Sequence, residues 1–156
     1  MDKMPISVEG FDKLQQRLRT LKEIERPAAI AAVQRAREFG DLRENADYSA
    51  AKDAQRAVDA EIRRIEGVVD NANVIDIKSL AGDTIMFGAS VGTIDADGKR
   101  ANYKILSESE SDMSRGVIAV TSPLARGLIG KRRGDSCVFR TPAGEKELTI
   151  TDVKYG

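Results

Sequence analysis

Asp41 and Glu44 sit three residues apart in "GDLRENADYSAAKD" (Gly40–Asp53), beside a glycine and between two long runs of charged, helix-favouring sequence. Two chemistries suit such a pair. As structure, Asp41-Leu42-Arg43-Glu44 has the form of a capping box, with an acceptor at the N-cap and a glutamate at N3. A cap of this kind contributes about 1 kcal/mol to a helix. As function, two carboxylates can share a hard divalent cation, but alone they hold it poorly. Mg²⁺ takes six oxygen ligands and draws most of them from water and phosphate. A pair this sparse suits a metal site that another molecule largely supplies. Residue type and spacing leave both readings open.

Composition removes other chemistries. The chain has 156 residues, no His and a single Cys137. A Ser-His-Asp triad, a Cys-His dyad and the usual zinc sites all require residues that are missing. A lone cysteine forms no internal disulfide, so a reducing, cytoplasmic setting is expected. No apolar run approaches the roughly 18 residues of a membrane span, and no signal-peptide pattern opens the chain, so no membrane partner is expected. Acids and bases balance at 25 each. The first 76 residues carry 13 bases and 15 acids, the remainder 12 and 10. Tight binding to naked nucleic acid depends largely on neutralising phosphates, and neither half is a polycation.

The elements that must position the acids follow from periodicity. Residues 8 to about 74 read as helix. In the second arm Tyr48, Ala51, Gln55, Val58, Ile62, Ile65, Val69 and Ala72 recur at alternating steps of three and four, a coiled-coil seam. The first arm offers Phe11, Leu14, Leu18 and Leu21, then Ile24 and Ala28, with Pro27 predicting a kink or a restarted helix. Two arms joined near Gly40 make an antiparallel αα-hairpin with the acids at its tip. From residue 77 the character changes. Thr84–Ile94, Arg100–Leu106, Gly116–Val120, Ser136–Arg140 and Lys146–Tyr155 read as strands, separated by turn residues. Ser122 and Pro123 open a short helix that Gly130 closes. The acidic Ser107–Ser114 reads as a solvated loop. The expected fold is α+β: a hairpin over 1–76, then a small, mostly antiparallel sheet domain with one short helix over 77–156.

Three stretches then coincide. "GDLRENADYSAAKDAQ" (Gly40–Gln55), the preceding "ERPAAIAAVQRARE" (Glu25–Glu38) and "VTSPLARGLIGKRRGDSCVFRTPAGEKELTI" (Val120–Ile150) closely resemble the signatures of the GreA/GreB family of bacterial transcript cleavage factors. The resemblance covers nearly the whole chain, with the motifs in the expected order. It implies an FKBP-like second domain that docks on RNA polymerase at its secondary channel. The hairpin would reach the active centre and stimulate cleavage of the 3′ end of backtracked nascent RNA. By that resemblance Asp41 and Glu44 are the catalytic acids. Asp41 helps hold the weakly bound Mg²⁺ of the polymerase, and Glu44 positions the attacking water. The protein would act as a monomer, have no cofactor of its own, and not be a nuclease by itself.

The same resemblance places Arg37 and Lys52 near the extruded RNA, with Arg35 and Arg56 beside them and Arg43 next to the acids. Arg43 stands where a small residue is usual, and could either favour RNA phosphate or weaken the metal. The plain alternative is that these cations are solvated coiled-coil residues making weak ion pairs. Tyr48 reads as a seam residue near Phe39 or as a base-stacking group. Ser122, Pro123 and Leu124 are the candidates for docking on polymerase; they also look like an ordinary helix start with a core leucine. An FKBP-like fold does not bring prolyl isomerisation with it, because this domain has only Phe87, Tyr103, Phe139 and Tyr155 to line an aromatic cleft. The competing function is a channel-binding module that inhibits polymerase without promoting cleavage.

Overall fold

The computed structural model describes residues 3–38 and 45–156. The first unit, Phe11–Ala72, is helical. Helix α1 (Val8–Thr20) runs into a five-residue π-helical turn (Leu21–Glu25), then α2 (Arg26–Arg37); α3 (Ala46–Asp70) returns against them. Leu21, Ile62 and Ile65 are fully enclosed, with Leu14, Leu18, Val58 and Val69 packed around them. Ion pairs flank this seam, joining Arg17 to Glu61 (2.9 Å), Lys22 to Glu66 (3.3 Å) and Arg26 to Asp59 (3.1 Å). The Arg17 guanidinium, hydrogen-bonded to Glu61, holds that carboxyl below the usual carboxylate range. This is the antiparallel hairpin that the two seams predict.

The π-helical turn is how the chain accommodates Pro27. Proline has no N–H, and its ring crowds the carbonyl four residues back. Opening the preceding turn by one residue, with the Arg26 N–H donating to the Leu21 carbonyl, relieves that conflict. The helix neither stops nor restarts, but its face slips by one position. Glu25 and Ala29 are therefore half-buried where the seam placed Ile24 and Ala28, and Ile24 is 65% exposed.

The second unit comprises Lys3–Gly10 and Asn73–Gly156. A five-stranded sheet has the order β5-β4-β3-β7-β6, from β3 (Ser90–Asp95), β4 (Arg100–Leu106), β5 (Val117–Ala119), β6 (Ser136–Thr141) and β7 (Gly144–Lys154). Val91, Ile105, Ile118, Cys137, Leu148 and Ile150 project inward, and α4 (Pro123–Leu128) covers them with Ala125 and Leu128. The sheet is mostly antiparallel, and its edge strand β5 runs parallel to β4, pairing Ile105 with Ile118. Residues 107–116 provide the crossover that a parallel neighbour requires.

Two further differences concern segments with long-range partners. Thr84–Ile94 is not one strand, since β3 begins only at Ser90. Residues before it form a connection in which the Tyr155 hydroxyl donates to the Thr84 carbonyl (2.5 Å) and accepts from the Met86 N–H (3.0 Å). Gly88, at φ +90°, makes the turn into the sheet. The other difference is at the chain start. Met4–Ser7 is a strand, β1, paired with β2 (Ala72–Ile75). Residues 3–10 thus belong with the sheet unit, whereas the sequence division at residue 76 assigned them to the hairpin.

The supposed solvated loop anchors that start. The Glu110 carboxylate accepts from the Ser107 N–H (3.1 Å), the Ser107 hydroxyl (2.6 Å), the Ser7 N–H (3.4 Å) and the Ser7 hydroxyl. Ser7 Oγ in turn accepts from the Gly10 N–H (3.0 Å), the bond of a helix N-cap. Ser7 and Ser107 are both buried. A short acidic turn therefore fixes where α1 begins.

Candidate functional site

The sequence places the chemistry where α2 ends and α3 begins. Asp41, Arg43 and Glu44 lie outside the described residues, as does Phe39; the helix ends on either side of them are described. Helix α3 has Asn45 as its N-cap, not Asp41. Asn45 Oδ1 accepts from the Tyr48 N–H (3.1 Å), and Asn45 Nδ2 donates to the Ala36 carbonyl in the last turn of α2 (2.8 Å). One side chain thus caps α3 and reaches across to α2.

Arg37 and Tyr48 are also brought together, with the guanidinium 5.9 Å from the ring centroid, inside cation–π range. Tyr48 is half-buried on the α3 seam and Arg37 is exposed. Arg35 and Arg37 occupy the last turn of α2, where positive charge complements the helix dipole. Asp47 does the same at the first turn of α3. Lys52 is half-buried one turn beyond Tyr48. Arg56 is drawn to Asp53 (3.1 Å) in an exposed pair of small energetic value.

The second candidate surface is α4. Ser122 caps it, accepting from the Ala125 N–H (3.2 Å), and Pro123 takes the first helical position. Leu124 is half-buried against the sheet core, and Pro123 is exposed. These residues have the structural roles of a helix start, and their outer faces remain on the surface. Among the described residues no group of three or more metal-ligating side chains is gathered. No helix among them is long and apolar enough to cross a membrane.

Comparison with known proteins supplies what this geometry leaves open. The profile described as Transcription elongation factor, N-terminal, of the GreA/GreB family, matches residues 4–74. The profile Transcription elongation factor, GreA/GreB, C-term matches residues 80–155. The chain belongs to the GreA/GreB family of transcription elongation factors. It is 45% identical over 157 residues to the transcription elongation factor GreA of Alkalilimnicola ehrlichii, covering 99% of both chains. It is 41% identical over 157 residues to that of Rhodospirillum rubrum, covering 100% of both. A solved structure of GreA factor homolog 1 of Thermus thermophilus is similar at 24% identity, with a TM-score of 0.46 over 97% of this chain and 99% of that one.

Asn45 lies within the stretch that carries the resemblance, and it is the helix cap that residue spacing did not single out. Its signal was present, since asparagine is among the strongest N-cap residues and Ala46 begins a helical run. Asp41-Leu42-Arg43-Glu44 offered a competing cap one turn earlier, and spacing cannot choose between them. The second bond, to Ala36 across the hairpin, has no local signature.

Proposed function

We propose that this GreA/GreB factor binds RNA polymerase at the secondary channel and stimulates Mg²⁺-dependent cleavage of the 3′ end of backtracked nascent RNA. The observation that carries this reading is the match of both halves of the chain to the GreA/GreB profiles, over residues 4–74 and 80–155, with Asp41 and Glu44 in the stretch between α2 and α3. Family membership supports this reading.

Asp41 would contribute a carboxylate oxygen to the weakly held Mg²⁺ of the polymerase centre, and Glu44 would position the attacking water and accept its proton. Mg²⁺ held there would supply Lewis-acid activation of the water and stabilisation of the leaving oxygen. Two carboxylates fall well short of the six oxygens that Mg²⁺ requires, so the chain has no nuclease activity alone. Arg37 and Lys52 lie on the helices flanking the tip and attract the RNA backbone, with Arg43 adding charge beside the acids. Ser122, Pro123 and Leu124 present the docking surface for polymerase, and the factor acts as a monomer.

The test is a transcript-cleavage assay on stalled, backtracked complexes carrying 5′-labelled RNA, with Mg²⁺ titrated and a control lacking polymerase. Shortening should need both polymerase and Mg²⁺. It should fall by about 10²-fold or more in Asp41→Asn and Glu44→Gln, the scale of losing a positioned acid or base, while binding is retained. Tight binding without shortening by the wild type would leave an inhibitory channel-binding module instead.

A further inference from the structure

We infer that the sheet unit carries a binding cleft for a small zwitterion with an apolar body, the chemistry of an apolar α-amino acid. The cleft has a volume of about 260 Å³ and lies wholly within the unit made of Lys3–Gly10 and Asn73–Gly156. Segments far apart in sequence wall it: the start of α1, the turn after β2 and the end of β4. An apolar cavity of about 150 Å³ accepts benzene, and pockets for larger organic ligands begin at about 300 Å³. One ring or branched chain with a short polar end is therefore the size that fits.

Val8, Ile77 and Leu106 give the cleft its apolar surface. Val8 is 42% exposed and Leu106 is half-buried, so apolar area here remains for a ligand to cover. Around it stand both signs of charge, Lys78 and Lys104 with Glu9 and Asp76. None of the four joins an ion pair among the described residues. Each answers to its own element instead. Glu9 lies in the first turn of α1, where the helix dipole favours an acid. Asp76 caps the turn Ile77–Ser79, one carboxylate oxygen accepting from the Lys78 N–H (3.1 Å). Lys104 has Ser90 and Val117 as cross-strand neighbours, and neither is an acid. Ser7 and Gly156 complete the wall, the serine hydroxyl being held by Glu110.

Opposite charges that border one cleft without meeting are satisfied together by a ligand that carries both. Its carboxylate accepts from the lysine ammoniums, and its ammonium donates to Glu9 and to the second Asp76 oxygen. Its side chain covers Val8, Ile77 and Leu106. A simple anion would face the two acids, and a simple cation the two lysines, so each is disfavoured by its own sign. The walls are held in advance. Glu110 fixes Ser7 through both its N–H and its hydroxyl, Asp76 holds its own turn, and β4 is paired on both sides. Little ordering remains to oppose binding.

The experiment titrates the full chain with L-phenylalanine, followed by amide NMR shifts, beside three probes that each lack one feature. 3-Phenylpropionate has no ammonium, phenethylamine no carboxylate, and glycine no apolar body. Phenylalanine is expected to saturate with a Kd below about 10 mM, the largest shifts falling at Val8, Ile77, Lys78 and Leu106. Each incomplete probe should bind about fivefold more weakly or worse. Lys104→Met should weaken phenylalanine by about threefold or more and leave phenethylamine no weaker. Glu9→Gln should weaken phenylalanine similarly and leave 3-phenylpropionate no weaker. Thermal unfolding of both variants should match wild type, since neither side chain is fully buried. Equal binding of phenylalanine and either singly charged probe would overturn the zwitterion assignment, as would a variant that binds every probe like wild type. Shifts centred outside the cleft, or no saturation by about 50 mM phenylalanine, would overturn the site itself.

Discussion

Gly10 and Glu110 approach so closely that a Cβ on residue 10 would overlap Glu110 Cδ. The glutamate cannot easily retreat, because Ser7 and Ser107 hold its carboxylate with four donors. The glycine is required by that approach, since its backbone is ordinary helix. Gly10→Ala should therefore destabilise the protein by about 1–3 kcal/mol, even though alanine favours helix, because the bulk forces overpacking or breaks the carboxylate's bonds. Glu110→Ala should relieve the clash, so the double variant Gly10→Ala/Glu110→Ala should cost less than the sum of the two single changes. Urea unfolding of the four proteins measures this coupling, and strict additivity would sink it.

The slipped seam makes a second prediction. Leu21 is fully enclosed and Ile24 is 65% exposed, although a regular repeat would treat them alike. Leu21→Ala should cost about 2–5 kcal/mol. Ile24→Lys should stay within about 0.5 kcal/mol. Equal losses would show that the helix continues through Glu25 without the extra residue.

How much of this could be read from sequence depends on how locally each feature is specified. The inward faces of α3 follow from Val58, Ile62, Ile65 and Val69 alone. Pro27 marked a disturbance, but a proline can break, kink or widen a helix, and only packing decides which. Strands β1 and β2 are four residues each and pair across the entire hairpin, so neither had the length to show alternation. The acids in Ser107–Ser114 looked solvated because nothing nearby in sequence identifies Ser7 as their partner. Asp41 and Glu44 were legible as residue types, and it was the family resemblance that attached a reaction to them.

Ser122 separates capping from docking. Its hydroxyl caps α4, so Ser122→Ala should lose about 1 kcal/mol whatever its other role. Ser122→Asp keeps a good cap and adds a negative charge on the outer face. If this surface meets polymerase, the aspartate variant should melt like wild type yet need several-fold more factor for half-maximal cleavage. Unchanged affinity in that variant would remove Ser122 from the docking surface.

Burial pushes the Cys137 thiol above its ordinary pKa. Below the unfolded thiol's pKa of about 8.5 both states hold the proton, and the full stability is present. As pH rises past that value the unfolded chain ionises first, so stability falls until the folded thiol also titrates. Cys137→Ala should flatten this part of the stability curve above about pH 8.5 relative to wild type, read as urea midpoints. Thiol labelling of the native protein should be slow over the same range. Rapid labelling at neutral pH would contradict the buried placement.

The pairing of β1 with β2 changes what the hairpin is. Because Lys3–Gly10 and Asn73–Gly156 form one unit, the helical arms enter as a guest inserted into a host fold at a single place, between Gly10 and Asn73. A fragment cut at residue 76 would carry off part of the host with the guest and leave Glu110 without Ser7. Joining Gly10 to Asn73 through a short linker would instead leave the host whole. By the same logic, the guest can be exchanged as a cassette among relatives, provided both junctions are kept together.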